Sequence, residues 1–223
     1  MRVNLHLRLF AEAGLLIIVG SPAPLPAQLA APTALSDFSA CSHHTCTWVT
    51  WSTPKIFRQG DLTYTVELTG KDESGGDFVL RRTEKELLRT PLKDLSASTS
   101  VVWSDDKKNF AVTWSNGGAS GWFDVRVFHI EGNSVTEFPA TRKAFAAFKS
   151  RHWCEERGDN IQAYQWTPDS RGLVLVLSVY PTSDCGREMG HTEAYVVDVA
   201  KGNIRQHWDL KQLNSYIRSH PEW

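Results

Sequence analysis

The sequence predicts a mainly β fold of antiparallel sheets with two short helices, and three observations carry that reading. Apolar and polar residues alternate with a period of two in several segments. A unit of strand, turn and strand recurs within the chain. Four cysteines follow an export-type leader, as in domains stapled by disulfides. A β-sandwich is the alternative arrangement of the same strands.

The first 27 residues read as a signal peptide. Arg2 and Arg8 precede the first acid, Glu12, then comes the short apolar run Ala13 to Val19, then the small, proline-rich exit Gly20 to Ala27. That order is the n-, h- and c-region pattern of secretion. Pro24 and Pro32 disfavour processing after Ala23 or Ala31, leaving the Ala27–Gln28 bond. The apolar run falls far short of the roughly 20 residues that span a bilayer as a helix. An uncleaved anchor would have to take in Glu12. Phe38-Ser39-Ala40-Cys41 has small residues before a cysteine, but it lies too far beyond the apolar run to serve as a lipidation signal. Residues 28–40, rich in Ala, Pro and Ser, read as a linker, and 41–223 as a single β-rich domain. A secreted or periplasmic location follows, with no membrane span in the mature chain.

Composition narrows the class further. The chain has 223 residues, 41% apolar, with nine tryptophans and a formal charge of −1. Removing Arg2, Arg8 and Glu12 with the leader leaves 22 basic against 24 acidic residues, a charge of −2. No basic footprint for nucleic acid is present.

The cysteines after the leader are Cys41, Cys46, Cys154 and Cys185. Of three possible connectivities, Cys41–Cys46 with Cys154–Cys185 closes the shortest loops. Cys41-Ser42-His43-His44-Thr45-Cys46 also offers four zinc ligands. Structural zinc sites draw on two separated pairs, however, and ligands this crowded surround one ion poorly. Export favours the disulfide.

Leu62, Tyr64, Val66 and Leu68 alternate with Thr63, Thr65 and Glu67, and Phe123, Val125 and Val127 alternate with Asp124 and Arg126. Leu173 to Leu177 is instead continuously apolar, the pattern of a strand buried on both faces. The repeat aligns Val102 to Val112 with Gln165 to Leu175 at an offset of 63, and Gly132-Asn133 with Gly202-Asn203 at an offset of 70. The extra seven residues fall in the middle connection, which is Ser115 to Gly121 in one copy and Ser178 to His191 in the other. Thr47 to Arg82 reads as a third, degenerate unit.

Trp103-Ser104-Asp105-Asp106-Lys107 and Trp166-Thr167-Pro168-Asp169-Ser170-Arg171 resemble the tryptophan-initiated turns of TolB-like and tryptophan–aspartate-repeat β-propeller blades. Val196 to Gly202 is similar to the later strand and turn of such a blade, and the first copy departs by lacking the proline. The resemblance covers roughly residues 100–137 and 163–208. It implies propeller-blade-like sheets and no particular chemistry. Three units are fewer than the typical four to eight blades of a closed ring. The expectation is a partial or open propeller, or one that a partner completes.

Two helices are expected. In Thr141 to Trp153, residues Ala144, Phe145 and Phe148 share a face, and Leu210, Leu213 and Ile217 form a stripe after Asp209, a suitable N-cap.

Signatures of chemistry are sparse. Walker, HExxH and GxGxxG patterns are absent, and Gly118-Ala119-Ser120-Gly121 fails the spacing of a nucleophile elbow. Asp105, Asp106 and Asp169 belong to turns. The candidate site is the inserted loop and its exit, with Asp184, Glu188, His191 and Glu193 near Cys185. Carboxylates beside an imidazole can bind a divalent ion or move protons, though a solvated loop pinned by a disulfide is the simpler explanation and the favoured one. Trp48, Trp51, Trp114 and Trp122 would form a recognition surface if exposed together. The reading is an exported, non-enzymatic binding domain for a cell-envelope partner, with no cofactor. A metal-dependent hydrolase using the 184–193 loop and a structural envelope protein are the alternatives.

Overall fold

The computed structural model describes residues 46–219, apart from short stretches at 52, 60–61, 73–74, 96–97, 118–121, 153, 155–158 and 181–182. The segments read as a signal peptide and a linker, the expected processing point, Cys41, His43 and His44 lie outside the described residues.

Three antiparallel sheets and two helices make up the described chain. The first sheet joins β2 (Lys55–Gln59), β3 (Leu62–Asp72), β4 (Gly75–Arg82) and β5 (Lys85–Lys93) in sequence order. The second joins β6 (Ser98–Trp103), β7 (Asn109–Ser115), β8 (Phe123–Glu131) and β9 (Ser134–Phe138), and β1 (Cys46–Thr50) pairs with the free edge of β6. The third joins β10 (Asp159–Trp166), β11 (Gly172–Val179), β12 (Thr192–Asp198) and β13 (Asn203–Asp209). The unit upstream of the two aligned copies is therefore offset from Thr47 to Arg82: its fourth strand runs on to Lys93, and Thr47 to Thr50 belong to the neighbouring sheet.

Period-two alternation puts a different core on each face of the second sheet. Val101, Trp103, Phe110, Val112 and Phe128 pack with Tyr64, Val66, Phe78 and Leu80 of the first sheet. Val102, Ala111, Val125 and Val127 pack with Ile161, Leu173, Leu175 and Tyr195 of the third. Phe110 is the hub of the first core, with ring centroids 4.9 Å from Trp103, 5.0 Å from Phe128 and 6.0 Å from Phe78.

The helices close the other apolar faces. Ala144 and Phe148 of α1 (Thr141–Arg151) join the core between the second and third sheets. Leu213 of α2 (Leu210–Ser219) covers Val174, Val176, Ala194 and Val196 on the far face of the third. Every residue of β11 is buried because packing covers both of its faces. Asp209 caps α2: Gln212 N–H donates to its carboxylate at 2.8 Å, and Asp209 N–H donates back to Gln212 Oε1 at 3.0 Å. The outer face of the first sheet is different. It carries an ion-pair network in which Arg81 meets Glu67 and Glu86, and Arg89 meets Glu86 and Asp77. That face needs no apolar cover.

The two tryptophan-initiated turns are built alike. Ser104 Oγ and Thr167 Oγ1 each donate to the aspartate two residues on, and each accepts from the N–H five residues on. Lys107 and Ser170 hold the same left-handed position, at φ 53° and 55°. The turns also touch, through Asn109 Nδ2 donating to the Ser170 carbonyl at 3.1 Å. Trp166 Nε1 donates to the Val102 carbonyl at 3.0 Å, tying the third sheet to the second.

Candidate functional site

The loop from β11 to β12 is shaped by its cysteine and glycines. Cys185 is bonded to Cys154, with Cα atoms 5.4 Å apart. Cys46 is also disulfide-bonded. After Cys185 the chain makes one 3₁₀ turn, Gly186–Glu188. Gly186 and Gly190 take positive φ, 58° and 77°, where a side chain would be strained. His191 N–H then donates to the Glu188 carbonyl at 3.1 Å, setting the two residues side by side.

The cysteine pair brings this loop to the end of α1. His152 is the helix C-cap, its N–H donating to the Phe148 carbonyl at 2.9 Å. Its ring lies between two glutamates. Nδ1 is 2.8 Å from Glu188 Oε2, and Nε2 is 3.2 Å from Glu193 Oε1. Nε2 is enclosed and is not directed into a hydrogen bond. The His191 ring stacks on His152 with centroids 4.8 Å apart. One ligand atom from each of His152, Glu188 and His191 lies within 4.8 Å of the others.

A second group of residues fixes Glu193. Arg151 Nη2 donates to Glu193 Oε2 at 2.8 Å, Tyr195 OH donates to the same oxygen at 2.5 Å, and His207 Nε2 is 3.2 Å from Oε1. Arg151 also bonds the Tyr195 hydroxyl. Burial alone would raise the Glu193 carboxyl, but the bonds from Arg151 and Tyr195, with His152 beside them, outweigh it and bring the pKa down to about 2. Burial and the Glu193 carboxylate push the Tyr195 phenol up. Glu193 is thus a fixed anion and Tyr195 a fixed donor. The His152 imidazole also holds Glu188 below the usual carboxylate range.

Of the sequence candidates, Glu188, His191 and Glu193 converge here. Asp184 does not: it is exposed and makes no hydrogen bond or ion pair among the described residues. Sequence reading missed His152, Arg151, Tyr195 and His207. The signal for His152 was the cysteine pairing itself, because a Cys154–Cys185 bond draws the residues around one half to those around the other. The four tryptophans form no common surface. Trp48 is 42% exposed, whereas Trp114 is core and donates from Nε1 to the Lys93 carbonyl.

Two imidazoles and a carboxylate are the donor set of a divalent transition-metal site with a coordination position left open. A carboxylate facing the remote nitrogen of a ligand histidine is the usual outer support for such a site. A cleft of about 410 Å³ adjoins it, lined in part by Met189, Asp209 and Lys211. Among the described residues, no helix is long and apolar enough to cross a membrane. No protein-family model, curated protein or solved structure matches the chain.

Proposed function

We propose that the chain is an exported, non-enzymatic binding domain whose centre takes a divalent transition-metal ion through His152, Glu188 and His191. One observation carries this reading: a ligand atom from each of His152, Glu188 and His191 lies within 4.8 Å of the other two, beside an open cleft. In the bound form, His152 Nδ1, a Glu188 oxygen and a His191 nitrogen are the protein ligands. The cleft beside His152 and His191 would admit a donor group from the partner to complete the shell. The partner expected is a component of the cell envelope.

Binding is favoured over hydrolysis by the state of Glu193. A general base works best with a pKa near the operating pH. Glu193, at about 2 and engaged by Arg151 and Tyr195, is a poor one. Its position suits orientation of His152.

The architecture proposed is an open stack of three propeller-type blades. Its support is three four-stranded meanders in chain order and two tryptophan-initiated turns with the same hydrogen bonds. The charged outer face of the first sheet and the helix over the third suit a stack that ends at both sides instead of closing into a ring.

Calorimetric titration of the chelator-stripped, oxidised chain with zinc tests the site. One ion per chain is expected, with affinity lost in His152→Ala and His191→Ala and kept in Asp184→Ala. Equal zinc binding by the parent chain and both histidine variants would refute it.

A further inference from the structure

We propose that a second cleft, where α1 meets the ends of the three sheets, binds a small planar aromatic anion such as an aromatic carboxylate or sulfonate. The cleft has a volume of about 520 Å³, which suits a one- or two-ring molecule. Each layer of the fold contributes to it. Lys93 and Asp94 come from the end of β5, Trp122 and Phe123 from the entry to β8, Ile161 from β10, and Phe145 from α1.

The lining combines two chemistries. Trp122, Phe123, Phe145 and Ile161 supply apolar surface, three of them aromatic, a lining suited to a flat aromatic ligand. Three cations stand around them: Lys93, Arg142 and Lys149. Lys149 Nζ already lies 5.5 Å from the Phe145 ring centroid. The side chains of Lys93 and Arg142 make no hydrogen bond or ion pair among the described residues. Two carboxylates, Asp94 and Asp124, oppose the cations, so cationic charge is in excess by one. Asp124 also accepts from Val125 N–H at 2.7 Å, which occupies part of its hydrogen-bonding capacity. An unpaired guanidinium beside aromatic walls recognises a planar anion bidentately. A neutral aromatic would leave it unused.

This inference is independent of the metal centre, whose residues do not line the cleft. It is tested on the full oxidised chain, in chelator, by equilibrium dialysis with naphthalene-2-sulfonate and with its neutral counterpart, naphthalene. Saturable one-to-one binding of the sulfonate is expected, displaced by naphthoate. Arg142→Glu should weaken it by about tenfold, the size of one charge-assisted hydrogen bond, with Lys93→Glu acting in the same direction. The neutral compound should bind the parent chain at least about tenfold more weakly for the same reason. Equal affinity for the two compounds would overturn the proposal, as would binding unchanged by both charge reversals in variants that melt like the parent. The comparison of compounds needs no variant, so a variant that fails to fold leaves the test intact.

Discussion

Cys154 and Cys185, bonded with Cα atoms 5.4 Å apart, join the end of α1 to the loop that carries Glu188 and His191. His152 lies two residues before one half of this bond, and Glu188 three residues after the other. The disulfide therefore holds the two parts of the proposed metal centre in register. Replacing both cysteines by serine should cost about 3–4 kcal/mol of stability in the chain-entropy model, read as a lower urea midpoint. It should also weaken zinc binding measured under native conditions. Unchanged zinc affinity would separate the bond from the site.

Arg151 acts at one remove. It holds Glu193, and Glu193 faces His152. Arg151→Met keeps the three ligands but loosens this support, so zinc affinity should fall by about 10–100-fold, the usual effect of losing an outer-shell partner. Arg151→Lys should recover part of the loss, since one donor to Glu193 is retained. Calorimetry on the two variants gives the comparison.

Phe110 links β7 to both strands beside it and to Phe78 of the first sheet. Phe110→Ala should destabilise the domain by about 3–5 kcal/mol through the transfer term and the cavity left behind. Denaturant unfolding monitored by tryptophan fluorescence measures it, because Trp103 shares the same cluster.

Asp169 closes the second tryptophan-initiated turn. The Thr167 hydroxyl, the Arg171 N–H and the Arg205 guanidinium bring its carboxyl from an ordinary 3.8 to about 2. A carboxyl with a lowered folded-state pKa stabilises the fold above its unfolded value and loses that contribution as pH falls through the folded one. The contribution should therefore be complete above about pH 4 and disappear towards about pH 2. Asp169→Asn should remove this part of the acid slope and cost on the order of 1 kcal/mol at neutral pH, a small value because the side chain is half exposed. Stability measured between pH 2 and 7 would show an unchanged slope if the turn plays no such part.

Much of the fold was legible because local chemistry and tertiary packing agree. Leu173 to Leu177 reads as a strand covered on both faces, and it lies between the second sheet and α2. Asp209 reads as a cap and caps α2. The placement of β1 was not legible: nothing in Cys46 to Thr50 marks it as a partner for β6, since edge pairing depends on backbone groups and not on a side-chain pattern. The site was half legible. Glu188, His191 and Glu193 cluster in sequence, but His152 and Arg151 reach them only through the fold, from 36 and 42 residues away. Asp184, close in sequence, points to no common centre because the turn after Cys185 separates it from Glu188.

The most direct measurement is anomalous diffraction at the zinc edge from crystals of the oxidised chain grown with equimolar zinc. One peak is expected, about 2.0–2.2 Å from His152 Nδ1, a Glu188 oxygen and a His191 nitrogen, with Glu193 still facing His152 Nε2. A map with no peak among these residues, with His152 still seated between Glu188 and Glu193, would show that the cluster is an ion-pair clasp and not a metal centre.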